Sequence, residues 1–184
     1  TGPNSGRWQA LACALLLLLV TLVYLPGRNG GFAFDDYPNF VNNTAVHVTT
    51  LSASDWLFAA VSSPSRGLPR PLAMLSFAAN YYFSGGSAVP MKVTNILIHV
   101  LNTLLVFLLA RRLARLAGVA QARGPAAPGW FALAVAAAWS LHPLNLMPVL
   151  LIVQRMESLC HVFVFTGLIA YLAGRERQRS GRSG

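Results

Sequence analysis

WQALACALLLLLVTLVYL, residues 8–25, holds 18 consecutive positions without a charge. As a helix rising 1.5 Å per residue it covers roughly 27 Å, close to the ~30 Å hydrocarbon core of a bilayer. Arg7 ahead of a Leu-rich core is also how a signal peptide begins. However, no small-x-small cleavage site follows and three more apolar runs do, so the run reads as a retained helix. Pro26, Gly27, Asn29, Gly30 and Gly31 then end it. Composition points the same way. The 184 residues are 55% hydrophobic and only 10% charged, against roughly 25% charged in an ordinary soluble domain, and the mean hydropathy is +0.54. A disordered tail, a disulfide scaffold and a soluble enzyme are excluded. The net charge of +9 does not indicate nucleic acid, because the basic residues cluster at the ends of apolar runs rather than in one patch. Cys13 and Cys160 both sit inside apolar runs and form no disulfide framework.

These runs predict an all-α integral membrane protein with four transmembrane helices at 8–25, 90–110, 130–153 and 156–173. His142-Pro143 and Pro148 interrupt the third, whose outer end should be kinked or unwound where protein satisfies the freed backbone groups. Residues 1–7, the 111–129 linker and a frayed basic tail at 174–184 fall on one side, and the 26–89 loop on the other. With both termini cytoplasmic, nine of the 14 Lys and Arg lie inside: Arg7, Arg111, Arg112, Arg115, Arg123 and the four arginines of the tail, among them Arg182. Arg28, Arg66, Arg70, Lys92 and Arg155 lie outside at low density, so the positive-inside rule favours this orientation. All carboxylates except Glu176 then face outward.

The 26–89 loop is too apolar for a free soluble segment. Residues 51–61, with Ser54 as a candidate N-cap, and 71–83, with Pro71 in the first turn, are too short to span. They read as two interfacial helices in the first outer loop, with Trp56, Tyr81 and Tyr82 at headgroup depth; packed core segments are the compatible alternative.

Asp35-Asp36, between Phe34 and Tyr37, is the sharpest local feature. Flanking aromatics would hold the carboxylates at the interface, where partial desolvation and mutual repulsion make one a better base; a solvated acidic turn is the plain alternative. Asn95, His99 and Asn102 share one helix face, as interhelical hydrogen-bonding groups or as the lining of a path. Arg155 and Glu157 read as an ion pair or as part of a site, and Arg70 with Arg155 could grip a phosphate. Asp35, Asp36, His47 and Glu157 could in principle hold a divalent metal, but no ligand spacing supports it.

Four segments, in order, resemble the N-terminal part of the GT-C glycosyltransferases, nearest to the transmembrane O-mannosyltransferases with tetratricopeptide repeats and their bacterial counterparts. They are FAFDDYPNFVNN (32–43), RPLAMLSFAANYYFSG (70–85), VTNILIHVLNTLLVF (93–107) and HPLNLMPVLLIVQRMESL (142–159). The resemblance implies a hexosyltransferase moving a sugar from a polyprenyl-phosphate carrier to a hydroxyl of an acceptor protein or glycan, on the periplasmic or lumenal side. It makes Asp35 or Asp36 the general base, with Asp35 the choice and Asp36 orienting it. Arg70, Arg155, Glu157 and His142 become candidates for the substrate and carrier phosphate. Met147 stands where such sequences carry an acidic or polar residue, and Pro148 replaces a small one.

Such enzymes have many more spans, so the chain reads as an N-terminal module needing further helices or a partner subunit. Alternatives of other classes are a non-catalytic assembly or lipid-handling subunit, and a small transporter lined by Asn95, His99 and Asn102.

Overall fold

The computed structural model describes residues 5–65, 69–179 and 181, so Arg66 and Arg182 of the charge count lie outside the described residues. Among the described residues all regular structure is helical. The helices are α1 (Ser5–Tyr24), α2 (Ala53–Val61), α3 (Pro71–Ser84), α4 (Ala88–Leu116), α5 (Val119–Arg123), α6 (Ala127–Ser140), α7 (Leu146–Leu150) and α8 (Arg155–Arg179). Three of them, α1, α4 and α8, are long and apolar enough to cross a bilayer. A fourth crossing is made if α6 and the Pro143–Leu150 segment, bent by 54° against each other, count as one span. The chain is an all-α membrane protein.

Helix ends depart from the edges of the apolar runs in a consistent direction. α4 continues through Arg111, Arg112 and Arg115 to Leu116, well into the expected 111–129 linker. Arg, Ala and Leu are all strong helix formers, so a charge marks the edge of the hydrocarbon and not the end of the helix. What ends α4 is Gly118, whose φ of 77° closes the helix with its N–H on the Arg115 carbonyl. The tail expected to fray from residue 174 instead stays helical to Arg179, and Arg112 holds it by a 3.4 Å ion pair to Glu176 and a 2.8 Å bond to the Ile169 carbonyl. In the short helix α2 the N-cap position falls on Ser52 rather than Ser54.

The chain divides into two compact units. The first comprises Thr1–Val23, His99–Asn145 and Cys160–Gly184. In it α1 buries the stripe Gln9, Cys13, Leu16 and Val20, spaced three and four apart as a helix face requires. α6 contributes the fully buried Ala132 and Ala136, small residues of the kind that let helices pack closely where no hydrophobic effect drives them together. Polar side chains close the remaining backbone. Gln9 donates to the Ala126 carbonyl at 2.8 Å, and a His99 ring nitrogen lies 3.0 Å from the Ser140 carbonyl, freed where Pro143 interrupts the run. The α8 portion stays largely uncovered, with Phe163, Val164, Leu168 and Tyr171 exposed.

The second unit comprises Tyr24–Ile98 and Leu146–Leu159. Its core gathers Phe40, Val46, Met74, Phe77, Met91 and Ile152, with Trp56 and Tyr81 packed against it. The segments read as interfacial are thus also core elements. α2 buries Ala59 and Ala60 while leaving Leu57, Phe58 and Val61 exposed.

Candidate functional site

Within the second unit, the segment after α1 reverses direction at Ala33–Asp36. The Asp36 N–H donates to the Ala33 carbonyl at 3.0 Å, and the Tyr37 N–H to the Phe34 carbonyl at 3.2 Å. Phe34 takes a φ of 48°, the left-handed region that bulky residues avoid, and holds its ring 77% exposed. The clamp that sustains this conformation is Asp36. Its side chain is wholly buried; one carboxylate oxygen accepts the Ala33 N–H at 3.0 Å and the other the Val153 N–H at 2.8 Å. Asp35, its neighbour, points the other way and is exposed, with no hydrogen bond from its carboxylate to a described residue. Its main-chain carbonyl accepts both the Asn39 N–H and, at 2.9 Å, the Asn39 side-chain amide. The Asn39 Oδ1, shielded from solvent, has no hydrogen-bond partner. Two chemically identical carboxylates therefore have distinct situations, one structural and one open.

Strain stored at such a turn is a mark of functional positions. Replacing Phe34 by glycine should relieve a left-handed cost of roughly 1–2 kcal/mol, against a similar entropic loss from a more flexible unfolded chain. The expected outcome is a thermal midpoint unchanged within experimental error. A clear destabilisation would show that the ring is needed for packing instead.

A second buried charge lies in the same unit. Arg155 is 0% exposed and makes no ion pair with a described residue, Glu157 included, although Glu157 is exposed two positions away. The first turn of a helix puts those two side chains on different faces. The guanidinium of Arg155 is distributed over neutral acceptors on two helices, α3 and α4. Nε donates to Asn95 Oδ1 at 2.7 Å, one terminal nitrogen to the Ser76 carbonyl at 3.1 Å, and the other to the Met91 carbonyl at 2.8 Å. The Phe77 ring lies 4.8 Å from its central carbon. Asn95 turns its amide nitrogen to the Leu151 carbonyl at 2.9 Å, so both ends of the amide are engaged. The link between α7 and α8 is thus held from three sides, by Asp36, Asn95 and the reach of Arg155 into α3 and α4.

The expected grouping of Arg70 with Arg155 is not what these contacts describe. Arg155 is an internal group whose donors are in use, whereas Arg70, just ahead of α3, is exposed and, among the described residues, its side chain hydrogen-bonds the Met156 sulfur. His47 is engaged elsewhere, bonded to the Phe40 carbonyl at 2.9 Å and stacked on Tyr81. Among the described residues no three His, Cys, Asp or Glu side chains gather as a metal site. In the first unit His142 is exposed, with its Nδ1 accepting the Leu144 N–H at 3.2 Å. Asn95, His99 and Asn102 are 0%, 3% and 1% exposed, so all three are interior side chains. Two participants escaped the sequence reading. Asn39 stands one helical turn after Asp35, a spacing that could have flagged it; Ser76 accepts from Arg155 through both its carbonyl and its hydroxyl, but lies 79 positions away, which leaves no local signal.

These features define a class: an α-helical membrane protein with an exposed carboxylate mounted on a buried, hydrogen-bonded polar framework. Comparison with proteins of known identity gives the particular likeness. The chain is similar to Protein O-mannosyl-transferase Tmtc1 of Drosophila melanogaster, 30% identical over 166 residues, which are 86% of this chain and 18% of the fly protein. It is 30% identical to Protein O-mannosyl-transferase TMTC4 of Homo sapiens over 161 residues, 83% of this chain and 22% of the human one. A protein O-mannosyl-transferase of Caenorhabditis elegans is 28% identical over 181 residues, 94% of this chain and 25% of the worm protein. The chain spans a quarter or less of the length of these relatives. The resemblance carried by the four motifs therefore holds over most of the chain. No protein-family model matches it, and no solved structure does.

Proposed function

We propose that this chain is the membrane module of a glycosyltransferase that moves a mannose-type sugar from a polyprenyl-phosphate carrier to a hydroxyl of an acceptor protein. The observation that carries this reading is the division of labour at Asp35-Asp36, where a buried carboxylate fixes a strained turn and an exposed one is left to act. Asp35 takes the proton of the acceptor hydroxyl as that oxygen attacks the anomeric carbon. The bond from that carbon to the carrier phosphate breaks on the opposite face, and its electron pair leaves with the phosphate oxygen. Arg70 is the exposed cation of the unit nearest in sequence to the core helix α3, and it is assigned to the leaving phosphate, for which a guanidinium fork is suited. The exposed apolar faces of α2 and α8 suit, respectively, a bilayer interface and further helices of a longer protein.

The test is Asp35→Asn in the full protein, assayed for transfer from a polyprenyl-phosphate mannose to an acceptor peptide. A fall of about 10²- to 10⁴-fold is expected, the range removed with a general base. Unchanged transfer rejects Asp35 as the base, and unchanged transfer with loss of a co-purifying partner would favour an assembly role. The termini are placed in the cytoplasm and the 26–89 segment on the opposite side, from the distribution of arginine. With Cys13 and Cys160 replaced, a single cysteine at Ser84, exposed at the end of α3, should react with a membrane-impermeant maleimide from the lumenal or periplasmic side only. Reaction from the cytoplasmic side would invert the topology.

A further inference from the structure

A groove of ≈ 330 Å³ runs along the first unit, lined on α1 by Gly6, Gln9, Ala10, Cys13, Ala14 and Leu17, and on α4 by Phe107 and Arg111. We infer that it holds one anionic phospholipid, with the phosphate on Arg111 and an acyl chain lying along α1. Three observations converge on that occupant.

The first is the contrast between two consecutive arginines. Arg112 is satisfied inside the protein by Glu176 and the Ile169 carbonyl. Arg111 makes no hydrogen bond and no ion pair to a described residue, and its Nε is shielded from solvent without a partner. A buried polar group left in that state is costly and calls for an acceptor. Arg111 as a whole is half-buried and lines the groove, so its terminal nitrogens are what phosphate-diester oxygens would reach, in a geometry that matches the guanidinium fork.

The second is depth. Arg111 begins the run of cations that closes the apolar part of α4, and Gly6 is followed by Arg7. Cations in those positions mark the headgroup level, where a lipid phosphate sits.

The third is length and lining. From Gly6 to Leu17 a helix advances roughly 17 Å, about half of the ~30 Å hydrocarbon core, which is the reach of one acyl chain within one leaflet. A packed transmembrane helix would need room along the whole span. The groove is instead lined by small residues, Gly6, Ala10 and Ala14, together with Leu17 and Phe107. The volume falls in the usual range for a ligand-sized pocket, with an apolar floor and a single cationic end.

The experiment is native mass spectrometry of the full protein in a neutral detergent, titrated with phosphatidylglycerol or with phosphatidylcholine of the same chains. The wild type should retain one phosphatidylglycerol in clear preference to phosphatidylcholine. Arg111→Gln should lower that retention about five-fold, as expected for one cation near a membrane surface, and Arg111→Lys should recover much of it. Arg115→Gln, outside the groove lining, should change little. Ala14→Leu fills the groove with Arg111 intact and should also abolish the preference, so the inference stays testable if Arg111→Gln does not fold. Equal retention of the two lipids, full retention by Arg111→Gln or by Ala14→Leu, or displacement of the lipid by millimolar inorganic phosphate alone would each overturn it. The last outcome would mark a free-anion site, and absence of any bound lipid would mark a surface covered by protein.

Discussion

Replacing Arg155 by methionine is expected to lower stability by about 2–4 kcal/mol, although methionine is apolar, flexible and of similar length. Removing the cation relieves the cost of burying a guanidinium with no carboxylate beside it, and that gain is large in principle. It is outweighed by what is left behind. Three charge-assisted bonds, to Asn95 Oδ1, the Ser76 carbonyl and the Met91 carbonyl, disappear together. The two carbonyls belong to helices α3 and α4 and retain helical partners there. The Asn95 oxygen does not, so it becomes a buried acceptor facing a methyl group. This accounting makes a sharper claim for the pair. Asn95→Leu combined with Arg155→Met should cost less than the sum of the two single changes, because removing both members of a buried polar pair leaves no orphan. Recovery should be partial, since the Leu151 carbonyl loses the Asn95 amide. Arg155→Lys should be no milder than Arg155→Met, because one ammonium keeps the buried charge and cannot span acceptors on α3 and α4 at once. Thermal unfolding of the detergent-purified protein, followed by tryptophan fluorescence, measures all four variants. A shift equivalent to less than about 0.5 kcal/mol for Arg155→Met, the size of an ordinary surface change, would show that this network does not hold the unit together.

Arg155 also shows where sequence reasoning stops. The spans were legible because a run such as residues 8–25 has only one sensible place to be, and the break near His142-Pro143 was legible because proline lacks the N–H a helix needs. The position of a charged residue at the end of an apolar run suggests an interface, and Arg155 was accordingly read as an outward cation. Its burial is decided by acceptors 79 and 64 positions away, at Ser76 and Met91, and nothing local to residue 155 announces them. The same limit applies to helix ends. Hydropathy reports the edge of the hydrocarbon, whereas α4 and α8 end where backbone geometry ends them, several arginines later. At the site, the motif supplied the pair Asp35-Asp36 but not the asymmetry within it, which arises from the left-handed Phe34 and from the Val153 N–H brought in from 117 residues away.

That asymmetry gives the two carboxylates separable phenotypes. Asp35→Asn should leave stability within about ±0.5 kcal/mol, because the side chain is exposed and makes no hydrogen bond to a described residue. Its transfer rate should nevertheless fall by about 10²- to 10⁴-fold, since an amide cannot take the acceptor proton. Asp36→Asn reverses the order of causes. The carboxylate accepts two backbone N–H groups on opposite oxygens, from Ala33 and Val153. An amide has one oxygen, so whichever way it turns, its NH₂ faces an N–H and one buried donor is left orphaned. The loss should be about 1–3 kcal/mol, read as a lower thermal midpoint. Transfer should fall with it, because the turn presenting Asp35 is no longer clamped. Asp36→Glu should not restore the wild type, since the extra methylene cannot be placed in a site with no exposure without moving the turn. Measured side by side, the two asparagine variants decide the assignment. Loss of transfer without loss of stability must belong to Asp35 and the coupled loss to Asp36. If Asp36→Asn kept its thermal midpoint and lost transfer while Asp35→Asn kept both, the base would be Asp36, and the exposed carboxylate would be the solvated one.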